Sequence, residues 1–413
     1  MPRTQTRRET TLAKYADHVN PARASILKMM GMDLVADRSE GYRVWDVDGS
    51  DYLDLDLRAG VYNLGHRNPQ VIAALRTALG TADMGFALFP GEKQALLAEK
   101  LAASTTMKYT LFAPSGTEAN DMAVQVARRI TGNRRIISCG KAYHGATGLA
   151  SAAGNPEFAA RFNSVYPEEF AVFEVGDIEQ ISAELSAGDV AAVLIEPTCN
   201  AAAYPSVNEE FWPELRRLCC DNSTLLIMDE IVTGLGRTGH PWGFQRLGIK
   251  PDMVVSAKGL SGGVYPIAAL MLSAECGGWL AEDFAGFAGT FAGGELACAV
   301  GLAALELSTS DNTLNQIAQT ADYFGTGLSE LCKGYPWVKE VRQVGLLYSL
   351  ILDRSDGGLD LITQLFKQRL LTFPAAHAGE AVNIKLGHLV DSAYCDEALE
   401  RIDKAMDVYG ATL

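Results

Sequence analysis

Asp252-Met253-Val254-Val255-Ser256-Ala257-Lys258-Gly259-Leu260-Ser261-Gly262-Gly263 reads as a buried strand that ends on one lysine and a glycine-rich turn. Burial disfavours an ammonium ion, so an amine delivered this way becomes a neutral nucleophile able to form a Schiff base with a carbonyl. A strand-end lysine that merely reaches solvent would leave the same stretch of sequence. Its neighbours decide between the two.

Working outward, short apolar runs at 109–113, 135–139, 191–195, 224–228, 253–257 and 267–272 alternate with helical stretches. That alternation predicts an α/β fold, a mostly parallel sheet with helices on both faces. Residues 296–307 read as an apolar helix leading out of it. Residues 41–57 alternate polar and apolar around Asp48-Gly49, the pattern of a hairpin. The expected division is an N-terminal segment 1–57, a large domain 58–307 and a C-terminal part 308–413. The two end segments would join in a smaller α+β domain.

Ligands of open α/β sheets bind beyond the carboxyl ends of the strands. The run 109–113 leads to Ser115-Gly116-Thr117, and 135–139 leads to Tyr143-His144-Gly145. The next three runs lead to Glu196-Pro197, to Asp229-Glu230 and to Lys258. Phosphate-binding residues, an aromatic ring, two acids and a lysine thus fall along one rim. Ser115 to Asn120 opens a helix whose apolar positions are Ala119, Met122, Ala123, Val126, Ala127 and Ile130. Its hydroxyls and glycine suit an anion at the unpaired N–H groups, and suit an ordinary cap equally. Asp229 ends a strongly apolar run and so needs a partner, either a cationic ring nitrogen or a structural ion pair. Gly234-Leu235-Gly236-Arg237-Thr238-Gly239 matches GxGxxG, but no clean helix start follows it. It reads as a loop, not a dinucleotide site.

A phosphate cradle, an aromatic lid, a buried acid and a Schiff-base lysine together describe a site for pyridoxal phosphate. The runs Ser115–Asn120, Tyr143–Gly145, Asp229-Glu230-Ile231, Thr233–Gly239, Lys258–Gly263, Gly289-Thr290-Phe291 and Tyr62-Asn63-Leu64-Gly65-His66 resemble the class III (ω-) aminotransferases, in order along nearly the whole chain. The resemblance implies fold type I, a homodimer with shared active sites, and an amine or amino-acid substrate. It gives Lys258 the Schiff base and the proton shuttle, and Asp229 the pyridine nitrogen. Tyr143 and Ile231 would cover the ring faces, with His144 and Val232 also against the cofactor. Ser115, Gly116 and Thr117 would hold the phosphate, joined by Thr290 from the partner subunit. By the same resemblance Glu196 would lie beside the cofactor and gate recognition of the substrate carboxylate, with Lys385 as its candidate cation.

Three departures stand out. Val232 replaces a glutamine common in the family, Ala292-Gly293-Gly294-Glu295 replaces Gly-Gly-Asn-Pro, and Lys385 stands where relatives carry an arginine followed by two prolines. Lysine lacks the guanidinium's bidentate fork. Amino transfer between an amine or amino acid and a keto acid or aldehyde is therefore the leading expectation. Another pyridoxal phosphate reaction (decarboxylation, aminomutation, replacement or carbon–carbon bond formation) is the alternative. A third reading, a protein that binds ligand without turnover, would not require both Lys258 and Asp229.

The 413 residues carry a formal charge of -15, which argues against nucleic acid or an anionic membrane as the main partner. Eight cysteines and six histidines show no metal-ligand spacing, so no metal is expected. Met1 to Glu9 is arginine-rich without an apolar segment behind it, so the reading there is a flexible or subunit-bridging arm on a cytoplasmic protein.

Overall fold

The computed structural model describes residues 5–85, 89–284 and 286–413. Residues 1–4 of the expected arm lie outside them. From Arg7 the chain is helical, because Thr6 and Glu9 form a capping box that starts the helix Arg7–His18.

The strands in chain order are β1 (Ala36–Glu40), β2 (Arg43–Asp46), β3 (Asp51–Asp54), β4 (Tyr109–Ala113), β5 (Arg135–Cys139), β6 (Phe170–Phe173), β7 (Val190–Ile195), β8 (Leu225–Asp229), β9 (Met253–Ser256), β10 (Ala268–Leu272), β11 (Val338–Val344), β12 (Leu347–Leu352), β13 (Leu370–Leu371), β14 (Phe373–Ala375) and β15 (Ala378–Lys385). The central sheet has the order β4-β10-β9-β8-β7-β5-β6. Strands β6, β5, β7, β8 and β9 run parallel, whereas β10 is antiparallel to both of its neighbours. Two reversals cancel, so β4 points the same way as β9. All six strands other than β10 therefore end on one rim.

Continuous apolar runs follow from burial on both faces. Val193, Leu226, Met228, Val254, Ala269 and Met271 point into one core. Their neighbours Ala192, Leu194, Ile227, Val255, Ala268 and Leu270 point into the other, which the helix Gly116–Thr131 covers. β6 was not anticipated. It is a four-residue edge strand with two half-buried central residues, so it lacks the sustained apolar run that marks its neighbours.

A separate core joins Leu53 and Leu55 to residues between Ile317 and Tyr409. Around it lie two four-stranded sheets, β1-β2-β3-β13 and β11-β12-β15-β14. The expected hairpin is β2–β3, with Arg43 opposite Leu53. Leu370 pairs in parallel with Leu53, tying the two ends of the chain in one sheet.

Glu295, one of the departures from the family pattern, has a structural task. The helix Glu92–Thr105 starts at Gly91, which offers no side-chain cap. Glu295 supplies it from a distance: its Oε2 and Oε1 accept from the backbone N–H groups of Lys93 and Gln94, each at 3.1 Å. An anion at a helix N-terminus is favourable both as a hydrogen-bond acceptor and against the helix dipole. A Cβ at residue 91 would collide with this carboxylate, so glycine and glutamate belong together. Glu295→Ala is expected to cost about 1 kcal/mol in denaturant unfolding, and Glu295→Gln less.

Candidate active site

Register brings the site together. Asp229 pairs with Val255 across β8 and β9, and Lys258 follows three residues later. Ile195 pairs with Met228, which places Glu196 beside Asp229 on the same rim. Beyond the rim opens a cavity of about 560 Å³. Ser115, Gly116, Thr117, Tyr143, His144, Glu196, Asp229, Ile231, Val232 and Lys258 all line it. Two other expected residues do not. Thr290 is exposed on the surface, and Lys385 is buried behind the cavity wall.

Asp229 is 2 % exposed and its oxygens are committed. Oδ2 accepts from Asn120 Nδ2 at 2.9 Å and from His144 Nδ1 at 2.7 Å, and Oδ1 accepts from the Ile231 N–H at 3.0 Å. Burial pulls the His144 pKa down, but the hydrogen bond and charge of Asp229, with help from Glu196, win and raise it. The same Asn120 amide also donates to the His144 carbonyl at 2.7 Å. Asn120 stands inside the recognised run Ser115–Asn120 but was not singled out as a site residue. The signal was a buried amide four positions after Gly116, on the same face of the helix.

Lys258 is half-buried and opens onto the cavity. Its φ of 42° is left-handed, which for a residue with a side chain costs about 1 kcal/mol or more. Burial lowers its pKa, assisted by the charge of Lys385 and opposed by Asp229 and Glu196. The glycines after it permit close packing on the N-terminal motif: a Cβ at Gly259 would lie 2.6 Å from Asn63 Nδ2, and one at Gly263 would strike the Tyr62 ring.

Glu196 Oε2 accepts from the Asn200 N–H at 3.2 Å. Burial, reinforced by the charge of Asp229, pushes its pKa up to about 7 against the pull of His144, the Asn200 N–H and Lys258. Lys385 is not its cation. Lys385 Nζ sits 2.9 Å from Asp56 Oδ1, an acid not marked in the sequence, and both side chains are buried or nearly so. Burial lowers the Lys385 pKa, but Asp56 and Tyr204 raise it further. Asp56 Oδ2 also accepts from the Ala59 N–H at 2.9 Å. That bond supports a left-handed turn at Leu57, Arg58 and Ala59, which leads to Val61 in the cavity wall. The Gly234–Gly239 stretch is a loop. Its Arg237 is fully buried and donates to Asn63 and to the Leu386 carbonyl, far from any dinucleotide role.

These residues fit pyridoxal phosphate. The cavity presents an amine, a hydroxyl-bearing helix start and a buried carboxylate, with Tyr143 and Ile231 among its walls. Two glycines set its width: a Cβ at Gly116 would lie 2.7 Å from Ile231 Cδ1, and one at Gly145 would overlap Thr117 Oγ1. No group of three metal-ligating side chains occurs among the described residues.

Comparison with known proteins agrees with this chemistry. The family model for class-III aminotransferases matches residues 27–406. An uncharacterized aminotransferase of Archaeoglobus fulgidus is 34% identical over 95% of this chain and 93% of its own. An acetylornithine aminotransferase of Caldanaerobacter subterraneus is 31% identical, over 89% and 93%. The solved N-acetylornithine aminotransferase of Stenotrophomonas maltophilia superposes with a TM-score of 0.80 at 25% identity, covering 94% of this chain and all of that one. A cavity built on a strand-end lysine and a buried aspartate, and a match along nearly the full length, lead to one conclusion: the chain belongs to the class III aminotransferases, pyridoxal phosphate enzymes that transfer amino groups.

Proposed function

We propose that this cavity moves an amino group from an amine or amino acid to a keto acid or aldehyde, with Lys258 as the residue that carries the cofactor. The observation that supports it best is the placing of Lys258 and Asp229 at the ends of adjacent strands in one cavity. Pyridoxal phosphate held at Lys258 would supply an electrophilic carbon that takes up the donor nitrogen and a ring that accepts an electron pair.

The protein's own groups do the rest. The Asp229 carboxylate, oriented by Asn120 and His144, holds a proton on the ring nitrogen. Lys258 Nζ, once displaced by the donor, takes the proton from the carbon bearing the donor's nitrogen. Its lowered pKa suits an amine that must act as a base near neutral pH. Tyr143 and Ile231 would flank the ring, and Ser115, Gly116 and Thr117 would hold the phosphate with the first N–H groups of the helix Gly116–Thr131. The exposed Thr290 would serve the phosphate site of a second copy in a homodimer. The end segments 1–57, of which 5–57 are described, and 308–413 would form one small domain beside the large one 58–307. Eight free cysteines accord with a reducing cytoplasm.

The direct test mixes the holoenzyme with amine donors and keto acid or aldehyde acceptors. Equal amounts of carbonyl product from the donor and new amine from the acceptor are expected. Donor loss as carbon dioxide or as an eliminated group, with no transfer, would overturn this reading. Lys258→Ala is expected to lower turnover by at least about 10⁴-fold, and borohydride will no longer fix the cofactor to the protein. Asp229→Asn is expected to lower kcat by about 10²- to 10³-fold while phosphate-driven cofactor binding persists. The neutral amine is the nucleophile, so cofactor capture by the apoenzyme speeds up as pH rises through the Lys258 pKa. Because that pKa is lowered, the midpoint of capture rate against pH is expected below the ordinary 10.5; a midpoint at or above it would contradict the electrostatic account.

A further inference from the structure

Glu196 also lines a second cavity, of about 30 Å³, large enough for a molecule the size of water or hydrogen peroxide. Its walls are mostly apolar, with Phe173, Ile195, Phe211 and Trp212 among them, but Cys139 and Cys199 line it too. Cys139 ends β5, and Cys199 stands four residues past the end of β7. Ser138 pairs with Leu194 across these neighbouring strands, and the turn after β7 lays Cys199 back over the end of β5. There its Sγ lies 3.4 Å from the carbonyl oxygen of Lys141, two residues beyond Cys139. The two thiols are close enough to hydrogen-bond each other, and the Lys141 N–H also serves the Cys139 sulfur. Donation from Cys199, helped by that N–H, outweighs burial and lowers the Cys139 pKa, whereas Cys199 is raised. Burial instead pushes the thiols of Cys219, Cys298 and Cys332 up to about 12. The thiolate is the reactive form, so Cys139 is the sulfur prepared to react first and Cys199 the one placed to follow. At 4 % and 6 % exposure, neither is open to a bulky oxidant.

We propose that Cys139 and Cys199 form a modification site, at which hydrogen peroxide converts the two thiols to a disulfide and so displaces the backbone that holds Glu196. The Cys139 sulfur attacks one peroxide oxygen: an S–O bond forms, the O–O bond breaks, and the departing hydroxide takes up the thiol proton and leaves as water. The Cys199 sulfur then attacks the oxidised sulfur of Cys139. An S–S bond forms, the S–O bond breaks, and the second hydroxide leaves as water with the Cys199 proton. Two electrons pass from the thiols to one peroxide, and nothing else is consumed. Cys199 precedes Asn200, whose N–H donates to Glu196 Oε2 at 3.2 Å. The same residue is tied to Tyr204 Oη through its side chain and to Asn383 Nδ2 through its carbonyl. Drawing Cys199 from contact into a covalent bond pulls Asn200 against these ties and moves the N–H that Glu196 relies on. The bond itself does not depend on the transamination reading; only the activity readout does.

The experiment treats the holoenzyme with increasing hydrogen peroxide, blocks the remaining thiols with iodoacetamide under denaturing conditions, and maps the digest by mass spectrometry. A pair of peptides joined through Cys139 and Cys199 is expected, lighter by about 2 Da than the two reduced peptides together. Amino transfer is expected to fall at least about fivefold as that pair accumulates, and to return with dithiothreitol. Cys199→Ser is expected to stop at the oxidised Cys139, which dimedone traps, and Cys139→Ser to give neither the link nor an adduct at residue 199. The wild-type map stands without either variant. Exposed Cys220 serves as the internal reference for dose. No 139–199 link at a dose that has oxidised Cys220 overturns the site, as does conversion of both thiols to sulfinic acids without a link. A first adduct at Cys199 overturns the order of attack. A complete link with unchanged turnover overturns the connection to Glu196 and leaves the site standing.

Discussion

A carboxylate at the end of a strand that is buried on both faces is stable only if other elements supply its partners. Asp229 imposes that constraint on the whole site. Its three hydrogen bonds come from the helix Gly116–Thr131, from the loop after β5 and from its own chain turning back at Ile231. Leaving any of these donors out would strand a buried charge, at a cost of a few kcal/mol. The same three contacts therefore set the spacing of the helix start at Ser115–Thr117, the loop of Tyr143 and the strand-end Asp229 around the cavity. The geometry of the cavity here is a by-product of satisfying one anion.

The remaining charges are apportioned by the same rule. Lys385 is paired with Asp56, which in turn holds a left-handed turn leading into the cavity wall. Arg237 has no carboxylate of its own among the described residues. It is held by neutral oxygens of Asn63 and Leu386, and burial lowers its pKa to about 10. Glu196 has the Asn200 N–H and the more distant charges of His144 and Lys258, and forms no ion pair among the described residues. The site's electrostatics follow from which acid each lysine reached, and in this chain Lys385 reached Asp56.

Glycines carry the second constraint. Gly116, Gly145, Gly259 and Gly263 each stand where a Cβ would enter a neighbour, and each joins two segments far apart in sequence. Through Gly259 and Gly263 the lysine turn rests on Tyr62 and Asn63. Motifs that look independent in the sequence are thus two sides of single contacts.

Strand runs, the rim on which they end and the residues just past each end were legible in the sequence. Each is a local property: a strand buried on both faces must be continuously apolar, and the chain must turn where the sheet stops. The lysine, the aspartate, the glutamate and the helix start could be placed that way. Edge strand β6 could not, since a half-covered strand lacks the long apolar run. Asn120, Asp56 and the pairing of Lys385 also escaped notice. A side chain's partner depends on which distant element packs against it, and the sequence does not record that distance. Tertiary structure alone decided how the charges were shared, because burial makes every ion seek the nearest counter-ion in space, whatever its place along the chain.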